Sequence, residues 1–187
     1  MKLLVLCFFV SFFVSCSSKH EVDKEYKNFS SPQAYEIAKL EHTILSLSSS
    51  INKKEAQNLS KILILHSLEL ANSYGITGTA WMHNSLINLG LKERGFCYHY
   101  TQDLIDKIKE YDFKTLKFYW AVHKKGEYFE HNALVVSSKY QNFLGGLILD
   151  AWRNSGELFY LKVLKDEAYS WSENKAKTSF YFKEKEE

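Results

Sequence analysis

The sequence predicts an α+β fold, with N-terminal helices and a cysteine-bearing helix packed on an antiparallel sheet. Three observations predict it. Apolar residues recur at helical spacing through the first half of the chain. After Tyr111 that spacing gives way to short runs rich in Val, Leu, Tyr and Trp, which read as strands. Helices first and strands after is the segregated α+β order, not the alternation of an α/β sheet.

The chain has 187 residues, with 24 Lys+Arg against 22 Asp+Glu, a net charge of +2. Charged residues at 25% and hydrophobic ones at 45% are ordinary globular values, which exclude a disordered chain, a collagen-like repeat and a polytopic membrane protein. The near-neutral balance makes no electrostatic case for nucleic acid. A single proline and eight glycines argue against a loop-dominated fold.

The first element is an address. Lys2 precedes a nearly unbroken apolar run from Leu3 to Val14, followed by Ser15 and Cys16. A basic start, a short apolar stretch and a small residue before polar sequence is the pattern of a secretory signal. The run falls short of the about 20 residues a membrane span needs. Phe13-Val14-Ser15-Cys16 resembles the bacterial lipobox, with Phe13 in place of the usual Leu. That resemblance implies a signal peptide over 1–15 and a lipidated Cys16, palmitate among its acyl chains. A tether over 16–31 follows, and a domain over 32–187. The implied location is the cell envelope, anchored in the bilayer through Cys16, on the periplasmic face of the outer membrane in a Gram-negative cell. The alternative is an ordinary signal cleaved nearby.

Ser31-Pro32 then opens a helix, serine as cap and proline in the first turn. Ile37, Leu40, Ile44 and Leu47 share its apolar face. A second helix starts at Asn52, with Glu55 three residues on as a capping-box variant. It runs to about Tyr74, where Gly75 suits the position after the last turn. His66 lies on its apolar side and reads as a hydrogen-bonded boundary histidine. Trp81-Met82-His83-Asn84 reads as a loop and Ser85 to Leu91 as a short helix. Gly95 breaks the chain. From Cys97 a face of Cys97, Thr101, Leu104, Ile105 and Ile108 forms the next helix. Strands follow over Leu116–His123, Phe129–Val136, Gly146–Trp152 and Leu158–Leu164, with a short edge strand expected at Ser179–Phe182. The tail KEKEE is a solvated charge cluster.

Cysteine arithmetic isolates one thiol. Of Cys7, Cys16 and Cys97, the first leaves with the signal and the second takes lipid. Cys97 then stands alone in an oxidising compartment, either as a small buried apolar residue or as a nucleophile. Its place at a helix start favours the nucleophile, because unpaired N–H groups there stabilise negative charge. An imidazole can take its proton, and a carboxylate can orient that imidazole. His131 and Asp150 supply both groups if their strands form a hairpin centred near residue 141. His131 then falls opposite residues 150 to 152, and His131 and Asp150 are direct or diagonal neighbours on one face. Taken singly, each also reads as a structural strand residue.

The motifs Gly95-Phe96-Cys97-Tyr98-His99, Glu130-His131-Asn132-Ala133 and Leu149-Asp150-Ala151-Trp152, in that order, resemble the papain-like and transglutaminase-like superfamily of cysteine hydrolases. The resemblance covers about residues 81–165. Asn132 stands where the transglutaminase-like pattern has an aromatic. The resemblance implies Cys97 as nucleophile, His131 as base and Asp150 as its orienting partner. The reaction it implies is hydrolysis or acyl transfer at an amide through a thioester. The expected partner is a peptide or protein amide substrate in the envelope, with no cofactor. The backbone N–H of Cys97 is one oxyanion donor by position, and Trp81, His83 and Asn84 are candidates for a second, Asn84 being a plain amide. Two other readings stand beside this one. A metal site could draw on Cys97, His99, His83 and His131, although residues 97 and 99 point in opposed directions on a helix. The domain could also be a non-catalytic envelope lipoprotein that binds without turning over.

Overall fold

A computed structural model describes residues 31–182. The expected signal peptide, Cys16, the tether up to residue 30 and the KEKEE tail lie outside the described residues. Among the described residues, helices α1 (Pro32–Leu45), α2 (Lys53–Ser73), α3 (Ala80–Asn88) and α4 (Cys97–Ile108) come first. Strands β1 (Leu116–His123), β2 (His131–Ser138), β3 (Leu147–Asn154), β4 (Glu157–Lys162) and β5 (Ser172–Glu173) follow, and α5 (Lys175–Tyr181) comes last. The strands form one antiparallel sheet in the order β4-β3-β2-β1-β5, so the chain is α+β.

The caps set the helix starts. Ser31 accepts from the Ala34 N–H at 3.2 Å with Pro32 in the first turn, and Asn52 accepts from the Lys54 and Glu55 N–H groups at 2.9 and 3.2 Å. Glu55 does not close a capping box. Its carboxylate instead reaches the strand layer, accepting from Lys114 N (2.9 Å), Thr115 N (2.9 Å) and Thr115 Oγ1 (2.7 Å). The Asn52 N–H donates to the same threonine oxygen at 3.0 Å. One acidic side chain thereby ties the start of α2 to the approach of β1.

Further expectations fail here. Trp81–Asn84 is helical, because Thr79 caps α3 by accepting from the Met82 N–H at 3.3 Å. Ser179–Phe182 is not an edge strand. Asn174 accepts from the Lys177 N–H and starts α5, and the edge strand is Ser172–Glu173. The β2 strand also begins two residues later than its apolar run, since Tyr128 and Phe129 sit in a turn closed by Glu127 N–H to Lys124 O and Glu130 N–H to Glu127 O.

Alternation along the strands divides the core in two. Phe118, Trp120, Leu134, Val136, Leu147 and Leu149 pack with the helices, while Tyr119, Ala121, Ala133, Val135 and Ile148 face the other side with Phe143, Val163 and Trp171. Every residue of β2 is buried as a result. Helix α4 lies on β2 and β3 and sends Cys97, Tyr100, Thr101, Leu104, Ile105 and Ile108 inward. Full burial of Leu104 and Ile105 stabilises the contact by about 1.5–3 kcal/mol each. On the outer edge of β1, β5 pairs with Ala121 and Val122, and the start of α5 satisfies Trp120: Asn174 N–H donates to Trp120 O at 2.9 Å and Trp120 N–H to Thr178 Oγ1 at 3.0 Å. Among the described residues no helix is long and apolar enough to cross a membrane.

The Glu55 carboxylate is held below the usual carboxylate range: partial burial opposes this, and the Thr115 and Lys114 hydrogen bonds outweigh it. Its stabilising effect is therefore complete above the ordinary glutamate pKa and lost as pH falls through the depressed one. Glu55→Ala is expected to lower the unfolding free energy by about 1 kcal/mol at pH 7, since water screens the site. Urea denaturation at pH 7 and pH 3 should show the difference from wild type shrinking at the lower pH.

Candidate active site

The site forms where α4 begins and β2 begins. Gly95 reaches Phe96 through a φ of +128°, a conformation suited to glycine, and a Cβ there would meet the His83 ring at 2.5 Å. Phe96 is extended and Cys97 is the first helical residue. The His99 Nδ1 accepts from the Gly95 and Phe96 N–H groups at 3.1 and 3.2 Å, which fixes the turn. Burial and the Arg94 charge both lower the His99 pKa, in keeping with a neutral acceptor. Cys97 is a buried free thiol with 8% exposure.

On the sheet, Leu134 pairs with Leu149 and Val135 with Ile148. Extending this register sets residue 131 opposite residue 152, so Asp150 is the diagonal neighbour of His131. The hairpin centre expected near 141 agrees with it. His131 Nε2 and Asp150 Oδ2 are 2.7 Å apart, and the side chains are 4% and 1% exposed. Regular pairing of β3 with β4 stops at Asp150 and resumes at Asn154. This irregularity turns the backbone N–H groups of Trp152 and Arg153 onto Asp150 Oδ1, each at 3.1 Å. Arg153 Nε donates to Oδ2 at 3.0 Å. The buried carboxylate therefore has four donors, as many as it has lone-pair sites.

Arg153 also grips Asp166 in a fork, at 3.2 Å and 2.6 Å, and Asp166 accepts from the Trp171 indole N–H at 2.8 Å. The guanidinium lies over the Phe159 and Tyr169 rings at 3.8 and 4.7 Å. This clamp brings Tyr169 and Trp171 beside the imidazole. Centroid distances from His131 are 4.6 Å to Tyr169, 5.3 Å to Trp171 and 4.8 Å to Trp152.

Two carboxylates and one guanidinium leave one negative charge, which an imidazolium balances. The His131 pKa is raised to about 9: burial pulls it down, and the Asp150 hydrogen bond, then the Cys97 thiol, push it up by more. His131 Nδ1 is buried and, among the described residues, has no partner of full hydrogen-bond geometry. The sulfur is nonetheless close enough to contribute to the proton affinity of the ring.

The remaining candidates divide. Asn84 Oδ1 accepts from the Trp152 indole N–H at 3.1 Å, so Asn84 supports that ring. His83 is fully buried with Nε2 on Arg94 O at 2.9 Å. Trp81 is more than half exposed and stands edge-on to Trp152 at 5.2 Å. His66 meets Glu69 at 2.9 Å as a boundary histidine, and His123 meets Ser170 O at 3.1 Å. Among the described residues no three His, Cys, Asp or Glu side chains gather where they could hold a metal. Sequence reasoning missed the Arg153–Asp166 clamp, for which no short-range signal exists. It also missed Asn132 as a site residue, whose Nδ2 lies 3.9 Å from Cys97 Sγ.

Arg153→Met is expected to destabilise the fold by about 3 kcal/mol or more, because it removes the guanidinium that both buried carboxylates share and leaves Asp166 with no cation. Urea denaturation measures this, and loss of the Tyr169–Trp171 cover should accompany it as a red shift in tryptophan emission.

Comparison of the chain with protein-family models, with curated proteins and with solved structures finds no match.

Proposed function

We propose that the domain is a thiol-dependent hydrolase or acyltransferase of papain-like or transglutaminase-like kind. It acts on amide bonds with Cys97 as nucleophile, His131 as proton shuttle and Asp150 as its orienting carboxylate. The observation that carries this reading is the buried 2.7 Å pair of His131 and Asp150, whose free ring nitrogen belongs to an imidazole that feels the Cys97 thiol.

In the proposed reaction Cys97 attacks as a thiolate beside the protonated His131 ring, and its sulfur bonds to the carbonyl carbon. The carbonyl electron pair moves to oxygen. As the oxyanion collapses, the carbon–nitrogen bond breaks and His131 protonates the departing amine, leaving a thioester. Water or an amine then attacks the thioester with His131 as base. Asp150 holds Nε2 protonated and pointed, so Nδ1 always faces the sulfur. The rings of Trp152, Tyr169 and Trp171 keep bulk water from the imidazole, which strengthens each charge interaction. The lipobox-like segment supports an envelope setting, with peptide or protein amides as substrate and the bilayer reached through Cys16.

Iodoacetamide at pH 6 is expected to label Cys97 at least tenfold faster than free cysteine, read by mass spectrometry. Cys97→Ala should abolish turnover while leaving the melting temperature within a few degrees. A thiol no faster than free cysteine would leave a binding module instead.

A leaving amine needs the His131 proton, so turnover should fall as pH rises through about 9. Asp150→Asn removes the first group that raises this pKa. It should move the alkaline limb to lower pH and cut the rate by roughly 10²–10⁴-fold, less than loss of the thiol. A pH–rate profile of both proteins checks the shift and its sign.

A further inference from the structure

We propose that Asn132 is the side-chain donor that holds the oxyanion with the backbone N–H of Cys97; the inference rests on the acyl-transfer reading above. Asn132 is 6% exposed, and each of its polar atoms is committed. Its Oδ1 accepts from the Trp120 indole N–H at 2.6 Å. An indole can only donate, so this bond settles which end of the amide carries the hydrogens. Of the two hydrogens on Nδ2, one goes to Glu130 Oε1 at 3.0 Å and the other toward Cys97 Sγ at 3.9 Å. Glu130 is itself held by the Gly126 N–H on Oε2 at 2.6 Å. The donor is therefore fixed before any substrate arrives, as electrostatic stabilisation of a developing charge requires.

Its distance suits the adduct better than the resting thiol. At 3.9 Å the contact with sulfur is long. When sulfur adds to a carbonyl, the new carbon lies one bond from sulfur and the oxyanion one bond further. An oxyanion turned toward Asn132 from there comes within hydrogen-bond reach of Nδ2. Neighbouring strand residues divide the work: His131 handles the proton from one face of the sheet, and Asn132 meets the charge from the other. Asn84 is spent on the Trp152 indole.

The rival role for Asn132 is to stabilise the thiolate through its N–H. Two reagents separate them. Acylation by p-nitrophenyl acetate passes through an oxyanion, whereas alkylation by iodoacetamide displaces iodide and forms none. On the full chain, the p-nitrophenol burst and the alkylation rate are measured across pH and taken at their limiting values, where the thiol is fully ionised. Asn132→Ala should slow limiting acylation by roughly 10–100-fold and leave limiting alkylation within about threefold. Asn132→Leu keeps the side-chain volume without a donor and replaces the alanine variant if that protein does not fold; it should show the same split. Acylation at the wild-type rate in a folded Asn132→Ala or Asn132→Leu protein, or equal loss of acylation and alkylation, overturns the inference. A wild-type protein that gives no Cys97-dependent burst overturns the acyl-transfer reading itself, an outcome distinct from either.

Discussion

A buried negative charge at Asp150 organises this end of the molecule. A carboxylate with 1% exposure is costly to remove from water unless it is fully hydrogen-bonded and paired. Here the sheet irregularity supplies two backbone donors, Arg153 supplies a third and a share of positive charge, and His131 the fourth. Because Arg153 is shared with Asp166, its charge covers only part of the demand. The remainder falls on the imidazole, which is why a histidine in an apolar setting holds its proton. The same electrostatic need that keeps Asp150 stable therefore keeps His131 charged and oriented.

The core makes that arrangement rigid. Strand β2 is buried on both faces, so His131 and Asn132 are presented by a segment with little freedom to shift. Helix α4 is pinned from two directions, by its apolar face on β2 and β3 and by the Gly95 turn seated on His83. The reactive groups lie at the first residues of two elements, where side chains project past the packed layers into a shared corner.

Much of this was legible in the sequence. The helical period of Leu104, Ile105 and Ile108 places Cys97 at a helix start, and the parity of His131 and Asp150 with a hairpin near 141 brings them together. These features are local, or depend on a single pairing. Others rest on signals that were present and outweighed. Thr79 is an ordinary N-cap, yet the aromatic and polar mix of Trp81–Asn84 reads as loop. Ser179–Phe182 carries two Phe and a Tyr that suggest a strand, but Asn174 upstream starts a helix. A third group had no local signal. The Glu55–Thr115 strap and the Arg153–Asp166 clamp join residues whose proximity depends on the completed fold. The amide of Asn132 gains its meaning only from Trp120 across the β1–β2 ladder.

The clamp also sets the order in which the site comes into being during synthesis. Cys97 leaves the ribosome well before residues 166–171, which bring the second carboxylate and two of the three rings around the imidazole. A nascent chain that has formed only its helices carries this cysteine without the His131–Asp150 pair or the Arg153–Asp166 clamp beside it. The buried charge network is therefore completed only when the C-terminal strands of the domain have emerged, and an unfinished or arrested product lacks it.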